Sequence, residues 1–261
     1  MNTEFEYKKK LVIGLIIIFA LSFFCAGVEM MKRDFSTKPT HVAEKKEEPE
    51  EKKEIVIDPN KPMIALTFDD GPSKYTMDIL NQLESYGARA TFFMLGTNVP
   101  KFPETVKKME QIGCEIGNHS TNHAKLTELT PDLIMAEIAG TNTALTEILG
   151  KQSTVFRPPY GAVDANISAL FDVPIILWSV DTLDWQTKNS EQVRDYILNT
   201  VQDGDIVLLH DLYETTAQAI AEVIPRLIEQ GYQLVTVSEM ARTRGITLEN
   251  AAIYGKFRNE Y

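Results

Sequence analysis

Cysteine is nearly missing from this chain: Cys25 lies in an apolar run near the N-terminus and Cys114 far along the sequence, and there are no others. A disulfide framework is therefore not what organises the fold. Histidine is scarce as well, with four residues, His41, His119, His123 and His210. Positive charge is in deficit, 26 Lys and Arg against 37 Asp and Glu, and nearly all of the excess acid lies from Met63 onward. That excludes a nucleic-acid groove, because phosphate binding needs a basic face. It suits a neutral substrate, or one that becomes cationic on reaction. No Gly-rich phosphate fingerprint follows the first strand pattern, which weighs against a doubly wound dinucleotide fold. What is present is enough apolar material for a full core, 44% hydrophobic and 9% aromatic residues. The expected arrangement is one domain of about 200 residues plus an appendage.

The appendage is N-terminal. Residues 11–28 carry no charge, and as a helix at ~1.5 Å per residue they reach ~27 Å, close to the ~30 Å hydrocarbon layer of a bilayer. Lys8, Lys9 and Lys10 precede them. The positive-inside rule keeps residues 1–10 cytoplasmic and sends the rest of the chain outward. A single-pass signal-anchor in the cell membrane, with the catalytic domain extracellular, is the expectation. Secretion after signal cleavage is the alternative, and the region after Phe23-Phe24, which has no clear small-x-small site, does not decide between them. Residues 29–62 mix charges of both signs with Pro39, Pro49, Pro59 and Pro62 and form a solvated spacer.

From Met63 the pattern changes to short apolar runs at 63–68, 90–95, 115–117, 155–157, 174–180, 205–209 and 233–237. Helical patterns at 76–86, 103–112, 131–149, 190–201 and 215–230 alternate with them. Such alternation predicts an α/β fold with a parallel sheet, and about seven units in this length fit an irregular (β/α) barrel. A domain spanning 63–242 and a C-terminal tail at 243–261 complete the expected organisation.

The chemistry gathers at the C-terminal ends of the strand candidates, the face on which parallel α/β folds build their sites. Asp69 and Asp70 follow the first, His119 and His123 the third, Arg157 ends the fourth, Asp181 and Asp184 follow the fifth, and His210 the sixth. Thr67-Phe68-Asp69-Asp70-Gly71 alone is also an ordinary strand running into an Asp-Gly turn. At a pocket, though, one of two adjacent carboxylates can bind metal while the other serves as a base. His119 and His123, four residues apart, bring two imidazoles to one side. With one carboxylate they make a three-ligand site that leaves positions open for water and substrate. Two solvated loop histidines are the bland alternative. Arg157-Pro158-Pro159-Tyr160-Gly161 is either a rigid turn or a launch point for a guanidinium that holds a carboxylate. Asp181-Thr182-Leu183-Asp184-Trp185 and Leu208-Leu209-His210 are equally, in isolation, a packed loop and a buried strand end.

The five motifs in this order resemble the polysaccharide deacetylases of carbohydrate esterase family four, the NodB homology domain, over residues 63–242. The resemblance implies that Asp70, His119 and His123 bind a divalent metal, usually Zn2+ with Co2+ as the alternative. It implies that Asp69 is the general base held by Arg157, and that the Tyr160 main-chain N–H helps to stabilise the oxyanion. His210 is implied as the general acid, oriented by Asp184 or, in its place, Asp181, and Trp185 and Leu208 as walls of the acetyl-methyl pocket. The expected activity is removal of N-acetyl groups from N-acetylglucosamine of a cell-envelope polysaccharide, peptidoglycan before others. Family members acting on muramic acid commonly carry Asn where this chain has Asp70. Chitooligosaccharide or acetyl-xylan as substrate, and a catalytically silent sugar-binding module, are the competing readings.

Overall fold

The computed structural model describes residues 56–258, so the expected anchor at 11–28 and most of the spacer lie outside the described residues. Among the described residues, no helix is long and apolar enough to cross a membrane. Nine strands, β1 (Met63–Asp69), β2 (Thr91–Met94), β3 (Glu115–Asn118), β4 (Val155–Phe156), β5 (Ile175–Ile176), β6 (Val180–Asp181), β7 (Asp205–His210), β8 (Gln233–Leu234) and β9 (Ile253–Tyr254), form one sheet. The helices are α1 (Thr76–Ser85), α2 (Pro103–Gln111), α3 (Pro131–Leu149), α4 (Ala165–Ser168), α5 (Asp184–Thr187), α6 (Ser190–Thr200), α7 (Glu214–Glu229) and α8 (Val237–Thr243).

Every named strand pairing is parallel, in the order β6-β7-β1-β2-β3-β4-β5-β9, with β8 beside the first residues of β1. All seven residues of β1 are buried, as expected of a central parallel strand covered on both faces. Period-2 geometry divides them. Ile64, Leu66 and Phe68 join the large cluster that includes Leu80 of α1, Val106 of α2, Ile197 of α6 and Ile224 of α7. Met63 and Ala65 face the other way, with Phe93, Val155, Ile176 and Ile206. Continued upward, that inner column ends on Asp69 of β1 and, in β7, on Leu208 and His210. Asp69 and His210 are Cα partners in the ladder. Alternation and register thus aim two chemically active side chains into the same space.

Local signals set the element ends. Helix α3 opens at Thr130-Pro131 and stops at Gly150, which takes a left-handed φ of 70° and donates its N–H to Thr146 O. The expected strand at 233–237 is cut short after Leu234 because Thr236 forms a reciprocal capping box with Glu239 and starts α8. The expected single strand at 174–180 is two, β5 and β6. Between them, the carbonyls of Ile176 and Leu177 turn to accept from the Arg157 guanidinium, and the chain changes neighbour from β4 to β7.

Residues 243–258, expected as part of a tail, belong to the fold rather than hanging from it. β9 pairs with β5, Lys256 bridges to Asp205 at the start of β7, and Phe257 is buried in the inner cluster. This segment links β5 to the start of β7.

Candidate active site and metal centre

The loop after β1 places Asp70 at φ 72°, a left-handed conformation that Asp tolerates better than most residues. Asn98 Nδ2 holds its carbonyl at 2.9 Å. The loop after β3 is shaped from below: Asn118 Oδ1 accepts from the Ser120 N–H, and the Glu137 carboxylate of α3 accepts from the N–H groups of Thr121 and Asn122. Ser120 and His123 also take left-handed φ values. That folded loop turns both imidazoles toward Asp70. Asp70 Oδ1 lies 3.5 Å from His119 Nε2 and 3.4 Å from His123 Nε2.

These three residues form the group among the described residues whose ligand atoms could hold one metal ion, all lying within 4.8 Å of one another. Two further observations fit a cation. Asp70 Oδ1 is buried and has no hydrogen-bond partner. His119 Nδ1 bonds the Arg157 carbonyl at 2.7 Å; that carbonyl can only accept, so Nδ1 is the donor and Nε2 is the nitrogen that faces Asp70. A carbonyl fixing the ligand tautomer is the usual outer support of a metal-binding histidine. Burial holds the His123 imidazole below its ordinary value, against the pull of Asp70, which favours the neutral form that ligates.

Asp69 is held differently. Its Oδ1 accepts from Arg157 Nη1 at 2.7 Å, and its Oδ2 lies 3.6 Å from His119 Nε2. Arg157 is fully buried, which would be costly without partners. Its guanidinium reaches Thr67 Oγ1, Asp69 and the carbonyls of Ile176 and Leu177, and lies 4.1 Å over the ring of Phe93.

On the other side, Asp184 settles the alternative left open by the sequence. Its Oδ1 is 2.8 Å from His210 Nδ1, and its Oδ2 accepts from the His210 N–H and Thr216 Oγ1. Asp181 instead accepts from the Leu183 N–H and caps a turn. Burial pulls the His210 pKa down, but the hydrogen bond and charge of Asp184, with Asp69 and Asp70 behind, outweigh it and push it up to about 9. With Nδ1 engaged, Nε2 is the free nitrogen.

The remaining expected residues surround this centre. The Tyr160 ring packs edge-on to His123 at 4.5 Å between centroids, and its main chain has a left-handed φ of 60°. Trp185 is half-exposed, and its main-chain N–H donates to Asp184 Oδ1. Leu208 is buried yet belongs to none of the three apolar clusters. Thr67, Phe93 and Thr216, which hold Arg157 and Asp184, and also Asp211 are not among the residues expected from the sequence. Only Asp211 carried a signal, as the ionisable residue next to His210.

The family model described as polysaccharide deacetylase matches residues 57–172. A peptidoglycan-N-acetylglucosamine deacetylase of Bacillus cereus is 36% identical over 192 residues, 70% of this chain and 90% of that protein. The chain belongs to the polysaccharide deacetylase family. The peptidoglycan-N-acetylmuramic acid deacetylase PdaC of Bacillus subtilis is 42% identical over 193 residues, or 74% of this chain. The family domain is only part of that relative, since this chain spans 41% of its length. A solved structure described as the T48 deacetylase with substrate superposes with a TM-score of 0.73 at 37% identity, covering 76% of this chain and all of the other.

Proposed function

We propose that this family member is a divalent-metal-dependent deacetylase that removes N-acetyl groups from N-acetylglucosamine of a cell-envelope polysaccharide, peptidoglycan in particular. Its irregular (β/α) barrel is tethered to the membrane by residues 11–28. The observation that carries the proposal is the convergence of three units on one space: a carboxylate and two imidazoles with an orphaned oxygen between them, a carboxylate fixed by a buried arginine, and a histidine paired to a buried carboxylate.

Asp70, His119 and His123 would hold the ion, Zn2+ or alternatively Co2+. When bound, such a cation supplies Lewis-acid polarisation of the acetyl carbonyl and acidifies a water. Asp69 accepts a proton from the attacking water; Arg157 occupies its Oδ1 and leaves Oδ2 directed inward. The Tyr160 main-chain N–H, on the residue that follows two prolines, is the donor to the developing oxyanion. An amine leaves poorly as an anion, so His210 protonates it from Nε2, and its pKa of about 9 keeps that proton available at neutral pH. Leu208 and Trp185 flank the acetyl methyl.

The names of the relatives divide between muramic acid and glucosamine, so the test includes both. Residues 55–261, with zinc content measured, are incubated with peptidoglycan fragments, chitooligosaccharides and acetylated xylan, and products are read by mass spectrometry. Loss of acetyl from the glucosamine of peptidoglycan is expected. Release from xylan alone would change the substrate, and no release from any of them by zinc-loaded protein would leave a silent sugar-binding module. Membrane-bound protein that retains residues 1–28 would support the tether over a cleaved signal.

A further inference from the structure

Asp211, next to the proposed acid, has no part in the chemistry above, yet it is fully buried. Its Oδ2 accepts from Thr76 Oγ1 at 2.5 Å, and its main-chain carbonyl accepts from Ser73 Oγ. The same two hydroxyls serve the loop itself, Thr76 Oγ1 accepting from the Ser73 N–H at 2.7 Å and Ser73 Oγ from the Tyr75 N–H at 3.0 Å. The carboxylate also lies flat against Gly71: a Cβ there would come within 2.2 Å of both its oxygens. Gly71 does not have a left-handed φ, so it is the Asp211 carboxylate, not the backbone, that demands glycine. From the opposite side, Gly71 O accepts from the Leu95 N–H at 2.9 Å. Asp70, strained at φ 72°, is thus gripped through the residues just after it, and such conformations persist where their surroundings over-determine them.

We propose that Asp211 is a positioning residue: it ties the end of β7 to the Gly71–Thr76 loop and thereby fixes the Asp70 carboxylate relative to His119 and His123. Its Oδ1 is buried without a hydrogen-bond partner. Burial, reinforced by Asp70 and Asp69 and opposed by the Thr76 hydrogen bond and its own N–H, lifts its pKa to about 7. The consequence for metal rests on the assignment of Asp70, His119 and His123 as ligands; the consequence for the loop does not.

The test reads both. In zinc-free protein, amide hydrogen exchange of Asp211→Ala is expected to accelerate at Ser73, Tyr75 and Leu95 and to stay unchanged in β3. Calorimetric titration with zinc is expected to weaken by roughly 10–100-fold, the range for loss of an outer support of a metal site. Asp211→Asn keeps an acceptor for Thr76 and should recover most of both. Gly71→Ala should reproduce the Asp211→Ala loop phenotype, and the double variant Gly71→Ala/Asp211→Ala should bind zinc better than Gly71→Ala alone because the clash is gone. Unchanged loop exchange in Asp211→Ala, or a Gly71→Ala defect that the second substitution does not relieve, overturns the proposal. Failure of the unsubstituted chain to bind zinc would sink the ligand assignment instead, with the exchange comparison still deciding the positioning role.

Discussion

The two ends of the strands differ in how completely their carboxylates are partnered. At the N-terminal end, the carboxylates of buried Asp205 and half-buried Glu115 are saturated. Asp205 receives Ser179 Oγ, the Gln202 N–H and a two-pronged Arg258, and Glu115 receives Thr91, Ser238 and the Ser238 N–H. At the C-terminal end Asp184 is saturated too, but Asp70 and Asp211 each keep a buried oxygen without a partner, and Asp70, His123, Tyr160 and Leu183 hold left-handed φ values. Saturated polar groups stabilise, whereas orphaned ones and strained backbone cost free energy. One end holds the sheet together; the other gives up stability around Asp70 and Asp211.

The largest effect that sharpens this contrast is at the proposed base. Asp69→Asn keeps size and should retain zinc while turnover falls by about 10²–10⁴-fold, the range for a lost acid–base group; zinc calorimetry beside acetate release checks it. Loss of zinc as well would make Asp69 a ligand. At the saturated end, Phe257→Ala should lower stability by about 3–5 kcal/mol, as for other large buried aromatics. Acetate release per folded molecule should stay unchanged, and chemical denaturation gives the first quantity.

Asp70→Gly should weaken zinc binding beyond the roughly 10–100-fold of outer-support losses. Because glycine adopts φ 72° without strain, the zinc-free protein should melt no lower than the parent. A lower melting temperature would mean that this end is not strained, and the comparison breaks. The smallest effect is a shift of a pH limb. His210 must be protonated to donate, so turnover should decline as pH rises through about 9. Asp184→Asn should bring that limb down toward the ordinary histidine value of about 6.5. The sign for stability is the same: a raised folded pKa stabilises below about 6.5 and loses that contribution as pH climbs through about 9.

Much of this was legible in the sequence because it is local. The uninterrupted apolar run of β1, Pro131 and Gly150 at the ends of α3, and an Asp or His just after an apolar run are signals a few residues long, and they fix where elements start and which end carries the chemistry. The break between β5 and β6 was not legible, because it depends on carbonyls turned to an arginine about twenty positions earlier in the chain. Nor was the contribution of Ile253–Phe257, whose apolar residues have meaning only beside β5 and β7.

The sequence by itself determined the parallel α/β class, the five motifs and their order, since these follow from periodicity and residue type. Only the tertiary structure decided that Asp184 rather than Asp181 faces His210, that Asp69 and His210 are ladder partners, and that Asp211 presses on Gly71. Each of those joins residues far apart in the chain, and such pairings are set by strand register and side-chain direction, which no local pattern encodes.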